Sequence, residues 1–164
     1  MDAQTLATAA GVPLGTLNMW VTRGFIPGER LGRGRRREFD LEVAIRVGIV
    51  AELVRFGVGL AAAVAAAGTA MGRRGEGEKL LVLFGFSLTD DMIVHNPAQL
   101  TELQEHMRRV PVVIPFNSED DLPAFFERQR MIPNVYAVIN IKQIEAKMRR
   151  ANEEWEQQRQ GKRG

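Results

Sequence analysis

Apolar residues near the start of the chain recur at helical spacing and are cut short by glycine. Leu6, Ala9 and Ala10 share one face, and Gly11 stops that run. Leu14, Leu17 and Val21, with Trp20 beside them, form a second face that Pro13 opens and Gly24 closes. A third, longer helix is predicted from Asp40 as its N-cap, with Val43, Val47, Val50 and Val54 joined by Ile49 and Leu53 in a broad apolar face. A short fourth helix, Leu60 to Ala67, follows Gly57 and Gly59.

The pattern then changes. "GTAMGRRGEGEK" (Gly68 to Lys79) carries four glycines among mixed charges, which is linker chemistry. Beyond it, strand-like runs alternate with helical ones. Leu80–Phe86, Met92–His95, Val110–Phe116 and Val135–Ile141 read as strands, and Pro111 and Pro115 push the third toward a sheet edge. Asn96 and Pro97 open one helix, and Ser118 caps "EDDLPAFFERQR". Asn140 with Gln143 resembles a capping box for a final helix to about Gln158. The expected fold class is α+β: a helical unit over 1–68, a linker over 69–78, and a small α/β domain over 79–164 with about four strands and a C-terminal helix.

Composition narrows the chemistry. The 164 residues include no cysteine, which excludes disulfide scaffolds, cysteine-ligated zinc and thiol nucleophiles. The opening "MDAQTLATAAG" lacks the basic start and apolar run of a signal peptide, and the alanine-rich stretch from Leu60 to Gly68 is far below the ~20 residues a bilayer demands, so a cytoplasmic protein is expected. The net charge of +2 conceals an asymmetry. Residues 1–75 hold ten arginines against six acids, and residues 76–164 hold twelve lysines or arginines against fourteen acids. Five of the arginines crowd into "GERLGRGRRR" (Gly28 to Arg37), a pattern that points to a polyanionic partner.

From Gln4 to Phe39 the chain resembles the winged helix-turn-helix of the MerR family. The resemblance rests on "QTLATAAGVPLGTLNMWVTRGFIP", with its tight turn at Gly11 and Val12, and on the basic hairpin "GRGRRREF" that ends in arginine, spacer and aromatic at Arg37 and Phe39. With the two helices that follow the hairpin, as in the family, it covers about 65 residues, and it implies a recognition helix in a DNA major groove and a wing on the backbone. The implied DNA-binding residues are Gly15, Thr16, Asn18, Met19 and Arg23 of the recognition helix, with Arg33, Arg35, Arg36 and Arg37 of the wing. The family often has arginine where this chain has Asn18, and asparagine suits the edge of adenine instead. Leu6, Leu17, Trp20 and Ile26 are expected to be core.

Catalytic chemistry is thin. His95, His106, Asp90 and Asp91 match neither a metal motif nor a triad, so neither an enzyme nor a cofactor or metal site is expected. Asn96, Asn117 and Ser118 stand where strands pass into helices, the ligand edge of a parallel sheet, although capping accounts for all three. In the last helix Ile144, Met148, Ala151 and Trp155 recur three and four apart, extending from Ile141 a seam expected to join two copies as a homodimer on double-stranded DNA. The reading is a sequence-specific transcriptional regulator. Two alternatives share its DNA-binding unit: a phage-type packaging protein similar to a terminase small subunit, and a regulator that senses a small molecule.

Overall fold

A computed structural model of the chain describes residues 1–28, 37–72, 79–88, 112–116, 122–129 and 131–161. Those residues are mostly helical. In chain order they form α1 (Ala3–Ala10), α2 (Leu14–Thr22), α3 (Leu41–Arg55), α4 (Leu60–Gly72), β1 (Lys79–Leu88), β2 (Val112–Phe116), α5 (Leu122–Gln129), β3 (Met131–Asn140) and α6 (Ile141–Gly161).

Local chemistry explains most boundaries. The Asp2 carboxylate accepts from Thr5 N at 2.9 Å and Asp40 from Val43 N at 2.7 Å, each satisfying a backbone donor that the first turn of a helix leaves free. Gly11 takes φ 68° and ends α1, with Val12 N closing back on Ala7 O at 3.0 Å. Pro13 stands one position earlier than expected, as the N-cap of α2. Asn140 Oδ1 accepts from Gln143 N at 3.1 Å, which starts α6 directly at the end of β3.

Helix α3 is central, and its surroundings set its burial. Ile45, Val47, Ile49, Val50 and Leu53 are fully buried, while Val43 and Val54, expected on the apolar face, are only half-buried. One face meets α4 through Ala63, Ala67 and Ala70, small residues that let two helices approach closely. Helix α4 therefore continues past Ala67 to Gly72, through Thr69 where the linker was expected to begin. Residues 73–78 lie outside the described set.

A second face of α3 meets α6. A Cβ placed on Gly48 would lie 2.6 Å from Ile144 Cγ2 and 3.0 Å from Met148 Cε, so the absent side chain is what admits α6. Met148 is 1% exposed as a result. Ala151 and Trp155 pack partly against the same core. Of the seam expected to join two chains, Ile144 and Met148 pack on α3 of the same chain, while Ala151 and Trp155 are half-buried.

The three described strands form one antiparallel sheet in the order β2-β1-β3. Three of the four expected strands are among the described residues, which show no four-stranded domain; the remaining one, Met92–His95, lies outside them. Pro115 sits on edge strand β2 and Pro133 on edge strand β3, where a missing amide costs no central ladder bond. Strand β3 begins at Met131, four residues before expectation, because Pro133 is tolerated at that edge. Ala137 and Ile139 turn toward the helices with Val113, while Tyr136 and Val138 alternate outward, and Phe126 of α5 meets Tyr136 with ring centroids 5.3 Å apart.

The tight α3–α6 contact generates a stability prediction. Gly48→Val should overpack it at a cost of about 1–3 kcal/mol, because the nearest atom is a stiff β-branched methyl. The gain from removing glycine from a helix is smaller, at about 0.4 kcal/mol. Urea unfolding followed by circular dichroism should show a lowered midpoint; an unchanged or raised one would show that α6 is not seated on Gly48.

Candidate nucleic-acid interface

Helices α1 and α2 are joined by the three residues Gly11 to Pro13 and share a core of Leu6, Ala10, Leu17, Trp20 and Val21. Burying Leu17, Trp20 and Val21 leaves the opposite face of α2 outward. Gly15, Met19, Thr22 and Arg23 are exposed along it, and Thr16 and Asn18 are half-buried beside them. At the C-terminal end Gly24 takes φ 77°, and Phe25 N returns to Trp20 O at 2.9 Å, so the chain leaves without covering that face.

Arg37 arrives from the far side of the arginine-rich segment. Residues 37–40 run extended beside the chain start: Asp2 and Glu38 form an antiparallel bridge, and Phe39 N donates to Met1 O at 2.8 Å. The Met1 ammonium donates to Phe39 O at 2.7 Å and to Asn152 Oδ1 at 3.3 Å. Burial holds that amine below the usual α-amino range, although the carboxylates of Glu38, Asp2 and Glu156 pull it upward.

These elements enclose a cleft of about 500 Å³ lined by Asp2, Ala3, Gln4, Leu14, Asn18 and Arg37. Two residues implied by the resemblance, Asn18 on α2 and Arg37 at the start of the extended segment, therefore converge on one opening. Neither makes a hydrogen bond or ion pair with another described residue, and both carry donors suited to a polar partner. The Asp2 carboxylate in the same cleft caps α1.

Of the other expected residues, Gly15, Thr16, Met19 and Arg23 lie along the outward side of α2, and Arg33, Arg35 and Arg36 lie outside the described residues. Gln4, Leu14 and Thr22 belong to the same surface and were not expected. Thr22 follows Asn18 by four and Met19 by three, a spacing readable from the sequence; Gln4 and Leu14 depend on how α1 sits beside α2. His95, His106, Asp90, Asp91, Asn96, Asn117 and Ser118 lie outside the described residues. The ligand-edge argument for the last three also needed parallel strands, and the described strands pair antiparallel. Among the described residues no three His, Cys, Asp or Glu are grouped to hold a metal ion, and no helix is long and apolar enough to cross a membrane.

No family model and no curated protein matches this chain.

The cap at Asp2 supports a cleft wall, so its loss should be felt there. Asp2→Ala should lower stability by about 1 kcal/mol. Amide exchange at Thr5 should accelerate, because its hydrogen-bond acceptor is gone. Protection at Thr5 equal to the parent's would mean that the cap does not order this end of α1.

Proposed function

We propose that this chain is a sequence-specific reader of double-stranded DNA, acting as a homodimeric transcriptional regulator. In this reading α2 enters the major groove with Gly15, Thr16, Asn18 and Met19 toward base edges, and Arg23 holds a phosphate. The wing of MerR-like resemblance, Arg33 to Arg37, grips the backbone. The observation that carries the proposal is the shared cleft of Asn18 and Arg37, which brings a polar amide and a cation to one opening, neither bonded to another described residue. An asparagine amide matches adenine's paired donor and acceptor, and a guanidinium matches phosphate.

The charge balance supports the same partner, since the cationic excess lies in residues 1–75. Dimerisation belongs to the proposal because two linked readers bind the second half-site at high effective concentration. Ile144 and Met148 are already committed to α3. Of the expected seam, Ala151 and Trp155 retain partial exposure.

Selection of bound fragments from genomic DNA, followed by sequencing, tests the reading. Enrichment at promoters supports regulation, enrichment at one packaging site would transfer the DNA-reading role to a packaging protein, and no enriched sequence would overturn specific binding. Replacing Arg35, Arg36 and Arg37 by alanine should weaken binding to a selected duplex and flatten the slope of log K against log salt by roughly two to three units. A slope equal to the parent's would remove the hairpin from the interface.

Asn18→Ala should act differently, relaxing one base position per half-site while nonspecific affinity holds. A base-edge contact of this kind discriminates by about 1–3 kcal/mol. Repeating the selection with the variant should show the relaxed position; an identical sequence preference would make Asn18 a solvated residue.

A further inference from the structure

Residues 37–40 are extended, and successive side chains leave them on opposite sides. Arg37 enters the cleft with Asn18, while Glu38 lines a second cleft, about 860 Å³, whose far wall is α6 with Asn152, Trp155 and Arg159. There Arg159 Nη1 lies 3.0 Å from Glu38 Oε1 and 3.1 Å from Oε2, across 121 residues of sequence. The guanidinium also sits over the Trp155 ring, 5.1 Å from its centroid, which restricts where it can point. Trp155 is in turn packed against the core, so the cation is mounted on a fixed part of the molecule.

We infer that Arg159 is a positioning residue for Arg37: it holds Glu38 toward α6, so that the neighbouring arginine faces the duplex with no free carboxylate beside it. The inference rests on the DNA-reading proposal. Among the described residues two acids lie near Arg37, and both are engaged. Asp2 caps α1 and Glu38 is held by Arg159. Without Arg159, Glu38 becomes a negative charge one residue from a phosphate-facing guanidinium. It can then repel the backbone or capture Arg37 for itself. Both side chains of the pair are partly exposed, 41% and 50%, so the expected effect is modest.

The test measures the affinity of the full chain for a duplex selected by the parent protein, as a function of salt. Arg159→Gln should weaken binding about threefold to fivefold, the range an exposed ion pair commands. The slope of log K against log salt should stay at the parent's value, because Arg159 touches no phosphate. Arg159→Lys, which keeps the charge, should recover most of the loss. In an Arg37→Ala background, Arg159→Gln should have no further effect. An equal loss in both backgrounds would overturn the inference, as would a slope reduced by about one unit, which would mark Arg159 as a phosphate contact, or an unchanged affinity. Amide exchange at Phe39 in the free protein provides a DNA-independent readout, and Arg159→Gln should raise it. A parent chain that selects no duplex would overturn the DNA reading and this role with it, while unchanged exchange at Phe39 beside normal DNA selection would overturn only the tether.

Discussion

The absent side chain at Gly48 lets the last helix lie against the first half of the molecule. At Cβ distances of 2.6 and 3.0 Å from Ile144 and Met148, any other residue would hold α6 away from α3. A glycine inside a helix weakens it by roughly 1 kcal/mol, and burying a methionine returns about 1.5–3 kcal/mol, so the exchange favours docking. From Met148 to Arg159 the helix then advances about 16 Å at its ordinary rise. That reach brings Asn152 to the Met1 amine and Arg159 to Glu38. The extended residues that follow the arginine-rich segment are therefore braced by residues from near the opposite end of the sequence.

Signals confined to a few residues were legible in advance. The carboxylate cap at Asp40, the helix stops at Gly11 and Gly24 and the asparagine cap at Asn140 depend on chemistry within one turn of chain and can be placed from residue type; the cap at Asp2 uses the same chemistry and was not read. Pro115 in β2 likewise announced an edge strand. What could not be read was the identity of covering surfaces. The stripe Ile144, Met148, Ala151 and Trp155 says that one side of α6 is buried, and periodicity contains no information on what buries it. Gly48 and Gly68 show the complementary difficulty. One admits a neighbouring helix and the other stands inside a continuous helix, yet in sequence the first is featureless and the second begins an apparent linker.

The candidate interface divides along the same line. Gly15, Thr16, Asn18, Met19 and Arg23 could be named because the apolar positions of α2 dictate which residues face outward. Gln4 and Leu14 could not, because they join Asn18 only through the packing of α1 beside α2. Arg37 was named as one of four wing arginines, but its distinction is positional: it enters the cleft with Asn18 while Glu38 turns to the opposite side.

That alternation carries an electrostatic consequence. A cation poised for phosphate loses its advantage when a nearby carboxylate is free to pair with it, since the exchange of one anion for another then gains little. Here each of the two described acids close to Arg37 has a competing occupation of a different kind. Asp2 accepts from a backbone amide within its own helix turn, a bond that persists as long as α1 is folded, whereas Glu38 depends on a side chain 121 residues away. The first arrangement is local and insensitive to the rest of the molecule. The second is exposed, screened by salt and contingent on where α6 lies. A displacement of α6 would therefore alter the charge beside Arg37 while leaving α1, α2 and their caps intact, and the seat on Gly48 is the contact that opposes such a displacement.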